Sequence, residues 1–530
     1  MTNAVQGSYA PLPQTISDSE SDKEIDIRYL NKGNSKNGAH KSFERDTQNG
    51  YVVSSRNINA FRGKRGFAGM SLARKVCFLS SIISCFLIIV LFIWVLPCNN
   101  EVSCPFQISS WESQHDDIEM KGRINVVSGT FSNSKNLAVL FQKSFNKLDG
   151  TSGAISIFGG NGVVAWISQV KSPETLDCNL IDVNGDNVKD CLLLSEMGLQ
   201  AIDPASGSVL WDLRSSDEGN YLQFPLIIPD LNGDGIKEIV SVFVGNHFHN
   251  KLVIINGKFG EILGEMYIDN CETIKGIKFN VDVIIYACIN GSTHYYYEVN
   301  MSNIKSYTNN SKVQSISIPV VYNNTTNEDF TLNGHKLSVN NIGSCPNCQT
   351  FLALYDISEN RELWRYSGMN TYTMKAKTFT FKPTEENLSS LRGHINGFIA
   401  KMWQWTNYSS DAETSSKHYL GRNSSVHVNT ISERVILMTL NNTNIHVINA
   451  SLTEVIQLCF TDGGAGTVCQ PDLHNQEESL LMTDLDQDGY QELASYSSSF
   501  VKRNNDWMLT STMKVIRLEA ELPKLYESTK

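Results

Sequence analysis

A nine-residue acidic loop occurs three times in this chain, each time directly before a short apolar run. The copies read DVNGDNVKD from Asp182, DLNGDGIKE from Asp230 and DLDQDGYQE from Asp484, and share the pattern D-x-[DN]-x-D-[GN]-x-x-[DE]. The runs that follow, such as CLLL and EIVSV, are short and apolar, as expected of buried strands. The repeat therefore predicts a β-rich domain in which tight acidic loops lead into strands.

The residue types at alternate loop positions are those that bind calcium. Ca²⁺ takes about six to eight oxygen ligands, which side chains at positions 1, 3 and 5, a backbone carbonyl at 7 and an acid at 9 can supply. Glycine or asparagine at position 6 suits a turn with positive φ. The predicted ligands are Asp182, Asn184, Asp186, Val188 and Asp190; Asp230, Asn232, Asp234, Ile236 and Glu238; and Asp484, Asp486, Asp488, Tyr490 and Glu492.

Other interpretations of the loops are weaker. An EF-hand places its last acid at position 12 between two helices. A transition metal is disfavoured because no His or Cys lies within the loops. An alternative that stays open is a loop whose Asp and Asn side chains only bind backbone amides.

Short strand–turn–strand units recur through the C-terminal four fifths of the chain. Trp166 and Trp211, which end two of them, lie 45 residues apart. A period of about 40–55 residues built from short antiparallel strands is typical of a β-propeller. The units begin at Gly153, Leu199, Leu252, Phe351 and Ile445. We therefore predict an all-β fold, a propeller of roughly seven or eight blades, with a pair of β-sandwiches as the alternative.

The propeller is expected to close on itself. The first strand, near Ile124, and the last, MKVIRLEAEL from Met513, are predicted to share one blade. Such closure removes the exposed edges of an open sheet.

An uncharged stretch of 21 residues, Val76–Leu96, is long enough to span a bilayer as a helix. Five Lys or Arg residues lie within 62–75, and none follows the stretch until Lys121. The positive-inside rule then places the N-terminus in the cytoplasm. The predicted organisation is a disordered cytoplasmic tail (1–75), a transmembrane signal anchor (76–96), a stalk (97–117) and a lumenal or extracellular propeller (118–530).

Glycosylation sequons and cysteines agree with this orientation. All ten N-x-S/T sequons follow the apolar stretch, as do ten of the twelve cysteines. An even number of cysteines on the oxidising side of a membrane favours disulfides. The sequon asparagines are Asn290, Asn300, Asn309, Asn323, Asn324, Asn387, Asn407, Asn423, Asn441 and Asn449. The candidate pairs are Cys98 with Cys104, Cys178 with Cys191, Cys271 with Cys288, Cys345 with Cys348, and Cys459 with Cys469.

The tail carries candidate regulatory residues. Ser17, Ser19 and Ser21 each precede an acid by three positions, which suits an acid-directed kinase. Tyr9-Ala10-Pro11-Leu12 matches an endocytic sorting pattern. The expected location is a membrane, either the cell membrane or an internal membrane.

Composition and motifs narrow the function. A formal net charge of −11 disfavours a nucleic-acid partner. Neither H-E-x-x-H nor G-x-S-x-G occurs, so metallopeptidase and serine-hydrolase templates are unsupported. The CPNC motif at Cys345 lacks a thioredoxin-like context and is interpreted as a structural bridge.

The three loops with their flanking strands resemble the FG-GAP repeats of integrin α-chain propellers, although no FG or GAP motif lies beside the loops. The Trp-ending hairpins are similar to the blades of quinoprotein-type propellers. With the tail and anchor, the chain resembles type II membrane proteins that carry integrin-alpha FG-GAP repeats. This resemblance implies calcium bound within blades.

The expected function is therefore that of a non-enzymatic membrane glycoprotein. Its calcium-stabilised propeller is expected to bind a lumenal or extracellular protein, as a receptor, an adhesion protein or an accessory subunit. The alternatives are a quinoprotein-like propeller enzyme and a transporter accessory or trafficking adaptor.

Overall fold

The structure is a computed structural model that divides into two units, residues 1–96 and 97–530. It describes residues 71–90, 109–129, 135–145, 150–214, 221–244, 250–268, 271–280, 283–290, 293–300, 314–317, 326–381, 395–409, 425–441, 444–462, 466–504 and 506–518.

In the first unit the described segment is helix α1, Leu72–Val90. It contains the first part of the predicted span 76–96, whose last six residues lie outside the described ranges. Among the described residues, no helix combines the length and the apolar character that crossing a membrane requires. The tail residues Ser17, Ser19 and Ser21 also lie outside the described part of the chain.

The second unit is all-β, with a one-turn helix α2, Leu473–Gln476. Its strands are β1 Trp111–Asp116, β2 Ile118–Ser128, β3 Lys135–Lys143, β4 Gly153–Phe158, β5 Val164–Gln169, β6 Pro173–Ile181, β7 Asp190–Ser195, β8 Gly198–Ile202, β9 Val209–Arg214, β10 Tyr221–Ile228, β11 Glu238–Val244, β12 Asn250–Ile255, β13 Ile262–Ile268, β14 Thr273–Asn280, β15 Val283–Asn290, β16 Thr293–Asn300, β17 Gln314–Ser317, β18 Thr326–Leu332, β19 His335–Ile342, β20 Gln349–Asp356, β21 Arg361–Met369, β22 Thr371–Thr373, β23 Lys377–Phe381, β24 Ile395–Ser409, β25 Ser425–Asn441, β26 Asn444–Asp462, β27 Gly466–Gln470, β28 Leu480–Thr483, β29 Glu492–Arg503 and β30 Asp506–Arg517.

The described strands form seven antiparallel sheets, numbered here in chain order. Sheets 1 to 5 are sequential four-stranded meanders: β2–β5, β6–β9, β10–β13, β14–β17 and β18–β21. Sheet 6 contains β22–β27, and sheet 7 has the strand order β1-β30-β29-β28. A succession of short antiparallel meanders is consistent with the predicted β-propeller.

Sheet 7 joins the two ends of the second unit. Strand β1 pairs antiparallel with β30, from Trp111 opposite Val515 to Asp116 opposite Thr510. The joining strand is thus Trp111–Asp116, and not the segment near Ile124, which belongs to β2 in sheet 1. Sequence patterning missed β1 because its residues, WESQHD, alternate between exposed and half-buried and contain no apolar run. Strand β1 lies within residues 97–117, the range that was predicted as a stalk.

Apolar side chains of successive sheets pack against each other. The inner strand β7, DCLLLS, which pairs on both sides, is buried at every residue, whereas the outer strand β9, at the sheet edge, buries only Trp211. This difference follows from packing on both faces of an inner strand. Pairs that share a core cluster are Ala138–Leu193 (sheets 1 and 2), Leu194–Ile239 (2 and 3), Val242–Ile284 (3 and 4), Leu352–Phe398 (5 and 6), Leu437–Leu493 (6 and 7) and Val139–Ala494 (7 and 1).

Tryptophans on outer strands also bind glycine turns of the following sheet. The indole Nε1 of Trp166 in β5 donates to the carbonyl oxygen of Pro204, at 2.8 Å, in the β8–β9 turn. Gly207 in that turn has a φ of +74°, and a Cβ there would lie 2.6 Å from the indole ring. Two further contacts of this kind are Trp111 with Gly159 and Gly162, and Trp211 with Gly257 and Gly260.

Sheet 6 departs from the predicted repeat. The segment beginning at Ile445 was expected to form a hairpin, but it lies within one strand, β26, of 19 residues. Strand β26 pairs with β25 along its length, across a register shift between Val435 and Ile436. The Asn-Ala-Ser stretch at 449–451 lies opposite this register shift, where a strand tolerates turn-forming residues.

Four predicted disulfides are present: Cys178–Cys191, Cys271–Cys288, Cys345–Cys348 and Cys459–Cys469. Three of them connect neighbouring strands or strand ends within one sheet, and the bridge at Cys345 closes the turn before β20. The predicted bridge between Cys345 and Cys348 is thereby confirmed. Cys98 and Cys104 lie outside the described residues.

Candidate metal sites

All three acidic loops occupy the same place in their sheets. They connect an edge strand to the strand beside it: β6 to β7 in sheet 2, β10 to β11 in sheet 3, and β28 to β29 in sheet 7. The ninth residue of each loop is the first residue of the following strand, as the sequence predicted. We call them loop 1 (182–190), loop 2 (230–238) and loop 3 (484–492).

The aspartate at position 1 organises each turn. In loop 2, Asp230 accepts hydrogen bonds from the backbone N–H of Gly233 (2.6 Å) and Gly235 (2.9 Å). Loop 1 repeats both bonds, at 2.7 and 2.8 Å, and in loop 3 Asp484 accepts from Gly489 at 2.9 Å.

Positions 4 and 6 of every loop have positive φ. Position 6 was predicted to do so, and Asn187 fills it in loop 1 with a φ of 66°. A positive φ at position 4 was not predicted from the sequence. In loop 3 it is Gln487, with a φ of 60°, a left-handed conformation that a residue with a Cβ rarely adopts.

In loops 1 and 2 the side chains at positions 3 and 5 bind each other, and position 5 also binds the backbone. In loop 2 the amide of Asn232 donates from Nδ2 to Asp234 Oδ2 at 3.1 Å, and Asp234 Oδ1 accepts the backbone N–H of Ile236 at 2.9 Å. That backbone hydrogen bond is the main reason why the pKa of Asp234 lies below its usual value. Asn256, on the β12–β13 turn, donates a further bond to Asp234 at 3.0 Å and was missed by sequence reasoning.

The acid at position 9 is fully buried in all three loops. One carboxylate oxygen accepts the backbone N–H of residue 2, at 2.8 Å for Asp190, 2.7 Å for Glu238 and 2.8 Å for Glu492. The other oxygen of each carboxylate is buried without a hydrogen-bond partner. Leaving a buried carboxylate oxygen unsatisfied is costly, so this position points to a missing cation or proton.

Electrostatics agree with that inference. Burial, with smaller contributions from the nearby Asp186 and Asp182, raises the pKa of Asp190 to about 6. Burial and the neighbouring aspartates likewise raise the pKa of Glu492 to about 7 and shift that of Glu238 upward. A divalent cation in contact with these carboxylates would reverse the penalty, because it favours their charged form.

The loops differ in how closely their acids converge. Oxygens of Asp230, Asp234 and Glu238 lie within 4.8 Å of one another, and so do those of Asp484, Asp486 and Glu492. In the part of the chain that the structure describes, the acids of loop 1 form no such group. Its last acid, Asp190, is one methylene shorter than the glutamates of the other loops.

Donor chemistry therefore fits Ca²⁺ best in loops 2 and 3. The ligands available are carboxylate and amide oxygens, which calcium prefers. The carbonyls of Val188, Ile236 and Tyr490 stay predicted ligands; the structure describes their backbone N–H groups, which donate to the acid at position 5.

Predicted glycosylation sites are distributed over sheets 4 and 6 and the segments outside the described ranges. Asn300 and Asn449 lie on strands with exposed side chains. Asn290, Asn407 and Asn441 also fall within strands, and the other five lie outside the described residues: Asn309, Asn323, Asn324, Asn387 and Asn423.

Comparisons with known proteins connect the chain to β-propellers. A family model described as "FAM234A/B beta-propeller" matches residues 153–284, a segment that contains loops 1 and 2. Protein FAM234A of Mus musculus is 24% identical over 34% of this chain and 35% of its own length, so the match spans about a third of that relative. These two matches support a β-propeller family.

A solved structure, BamB from Moraxella catarrhalis, covers 76% of this chain and 99% of its own, at 9% identity and a TM-score of 0.24. That likeness is too remote to bear on the fold or the site.

Proposed function

We propose that this chain is a single-pass type II membrane glycoprotein whose β-propeller is stabilised by FG-GAP-like Ca²⁺ loops and binds a protein partner without catalysing a reaction. The observation that carries the calcium proposal is the buried ninth acid of each loop, which keeps one oxygen without a partner. In loops 2 and 3 this acid converges with two aspartates to within 4.8 Å.

Calcium would act on stability through these loops. Three carboxylates brought this close repel one another, at about 3 kcal/mol per pair for charges 4.8 Å apart in an effective dielectric of about 20. A bound cation replaces that repulsion with attraction and satisfies the unpartnered oxygens. Because each loop joins an edge strand to the strand beside it, calcium would hold the start of that second strand in place.

The first experiment compares the full chain, purified in detergent, with calcium and with a chelator. A ligand that binds the folded state raises the melting temperature, by RT ln(1 + [L]/Kd) in free energy. We expect a higher melting temperature with calcium and bound calcium by elemental analysis. An unchanged melting temperature, together with no calcium in the purified protein, would refute the proposal.

Membrane anchoring rests on the sequence of residues 76–96 and on the charges before it. The ten sequons and four disulfides of residues 97–530 favour an oxidising compartment for the propeller. Protease digestion of sealed microsomes tests this. A tag at residue 1 should be removed and the glycosylated propeller protected; the reverse pattern would contradict a type II orientation.

Partner binding is assigned to the outer strands of sheets 1 to 3. These strands present exposed apolar side chains, among them Val163 before β5, Val209 on β9 and Tyr267 on β13, each about half exposed. No sequon lies between residues 98 and 289, so this part of the propeller would carry no glycan. Exposed apolar side chains free of glycan suit a protein interface.

Engineered glycans test the assignment after a partner has been identified by crosslinking on living cells. Val163→Thr creates a sequon with Asn161, and Arg214→Asn creates one with Ser216, on sheets 1 and 2. Arg365→Asn, which forms a sequon with Ser367 on β21 of sheet 5, is the matched control. We expect the first two to abolish crosslinking and the control to preserve it. Retained crosslinking with either glycan in place would argue against this surface.

A further inference from the structure

Loop 3 differs from the other two loops at position 3. Loops 1 and 2 carry Asn184 and Asn232 there, and each amide donates to the aspartate at position 5 at 3.1 Å. Loop 3 carries Asp486 instead. An ionised carboxylate has no hydrogen to donate and repels the aspartate at position 5.

The missing donor comes from another strand. Arg517, the last residue of β30, donates from Nη2 to Asp488 Oδ2, and its Nη1 lies 3.6 Å from Asp486 Oδ2. The Arg517 and Asp486 side chains are 7% and 1% exposed, so these charges are removed from water. A buried guanidinium is tolerated where it forms such paired contacts.

The guanidinium also balances the charge of the loop. Loop 3 holds four carboxylates, and with Arg517 its net charge equals that of the three carboxylates in each of the other loops. In the described part of the chain, no ion pair of this kind involves an acid of loop 1 or loop 2. The additional carboxylate and the arginine therefore compensate each other.

Room for a cation is retained beside Arg517. Oδ1 of Asp484 and Oε1 of the fully buried Glu492 have no hydrogen-bond partner. Both residues belong to the acid group that converges within 4.8 Å. Arg517 therefore contacts positions 3 and 5 of the loop and leaves oxygens of positions 1 and 9 available.

Arg517 further connects the loop to the strand that joins the chain ends. It lies opposite Glu492 in the β29–β30 register. Its backbone N–H donates to Ser110 Oγ at 3.1 Å, and Ser110 directly precedes β1. Arg517 therefore contacts both loop 3 and the residue before β1, so a change at loop 3 can affect how β1 joins sheet 7.

We infer that Arg517 is a positioning residue of a calcium site in loop 3. It takes the place of the position-3 amide, offsets the additional carboxylate and attaches the loop to strand β30, so that calcium binding there stabilises the closure of sheet 7. This inference rests on the proposed calcium function.

Four forms of the full chain test it: wild type, Arg517→Gln, Asp486→Asn and the double variant, which restores the asparagine of loops 1 and 2. Arg503→Gln is the control, since Arg503 forms an exposed ion pair in the same sheet. In chelator, Arg517→Gln should lower the melting temperature by about 3–6 °C, because it leaves a buried carboxylate pair uncompensated. The double variant should recover at least half of that loss, and the control should change little.

Cation binding at loop 3 is read separately with Tb³⁺, because loop 3 alone has a tyrosine at position 7, Tyr490, to sensitise its luminescence. Tyr490→Phe assigns the signal. Arg517→Gln should bind Tb³⁺, and Ca²⁺ in competition, at least about fivefold more tightly through its added net negative charge. The double variant should return to the wild-type affinity, with the number of bound calcium ions unchanged throughout.

Two results would overturn the inference. One additional calcium ion in Arg517→Gln would mean that the guanidinium itself occupies the cation position. A double variant no more stable than Arg517→Gln would mean that Asp486 and Arg517 do not together replace the asparagine amide found at position 3 of loops 1 and 2. If stability recovers but no variant binds Tb³⁺ or Ca²⁺, the proposed calcium function fails, while the replacement of the position-3 amide by Arg517 is still supported.

Discussion

Replacing Glu238 by glutamine should stabilise the protein without calcium, and calcium should cancel most or all of that gain. Glu238 is fully buried, accepts the N–H of Leu231 at 2.7 Å and leaves Oε1 without a partner. Its carboxylate lies within 4.8 Å of Asp230 and Asp234. Glutamine has the same shape, keeps an oxygen for Leu231 and offers an amide to the neighbouring aspartates.

The magnitude without calcium follows from the lost repulsion. Two carboxylate pairs separated by 4.8 Å contribute about 3 kcal/mol each before screening by solvent. Since Asp230 and Asp234 are accessible to solvent, which screens their charges, we expect Glu238→Gln to increase the free energy of unfolding by about 1–3 kcal/mol in chelator. With calcium, losing a charged ligand should weaken the loop 2 affinity about 10- to 100-fold, which removes about 1.4–2.7 kcal/mol of calcium stabilisation.

Urea unfolding in chelator and at a fixed calcium concentration measures both effects. Glu261→Gln is the matched control, because Glu261 is exposed in the same sheet. If Glu238→Gln destabilised the protein equally in both conditions, Glu238 would be a structural hydrogen-bond acceptor and loop 2 would not bind calcium.

Three further expectations follow from buried groups. Gly207→Ala should destabilise the protein by about 3–5 kcal/mol, because the left-handed φ and a Cβ 2.6 Å from the indole displace Trp166. In chelator, stability should fall by up to about 3 kcal/mol as pH rises from about 4.5 to 7, because the folded pKa of Glu492, about 7, exceeds its unfolded value and the folded state holds that proton more tightly. Glu433→Gln should cost about 3–5 kcal/mol, since it removes the carboxylate 3.0 Å from the buried ammonium of Lys401, and adding Lys401→Met should recover part of the loss.

Denaturant unfolding measures each of these, with its own control. Gly334→Ala, at a φ of +79° with open space around it, isolates the backbone part of the Gly207 effect; equal losses at both positions would deny the tryptophan contact. Calcium, or Glu492→Gln, should flatten the pH dependence, and an unchanged slope would contradict the assignment. A double variant at 401 and 433 no more stable than Glu433→Gln would show that the buried charge is not what costs stability.

Much of the local structure could be read from the sequence. The loops were located at the correct strand junctions because acidic turn residues and short apolar runs are local patterns. Four disulfides followed from proximity along the chain, since neighbouring strands bring nearby cysteines together. Strand β1 was not predicted because its residues show no apolar alternation. Its partner β30 lies almost 400 residues away, so no local pattern indicates the pairing. The expected hairpin at Ile445 was wrong because a long strand absorbs polar residues at a register shift.

The residue types and spacing of the acidic loops are enough to predict oxygen donors at a tight turn, and hence the kind of ligand that the loops favour. Which loops bring their acids together depends on tertiary packing, since convergence requires the strand after the loop to begin at the right place and its first side chain to reach far enough. Tertiary packing also placed Arg517 on loop 3, a contact between an arginine and acids about 30 residues away that no local pattern encodes. Burial is also required, because an unpartnered carboxylate oxygen strongly favours a bound cation only after packing has removed it from water.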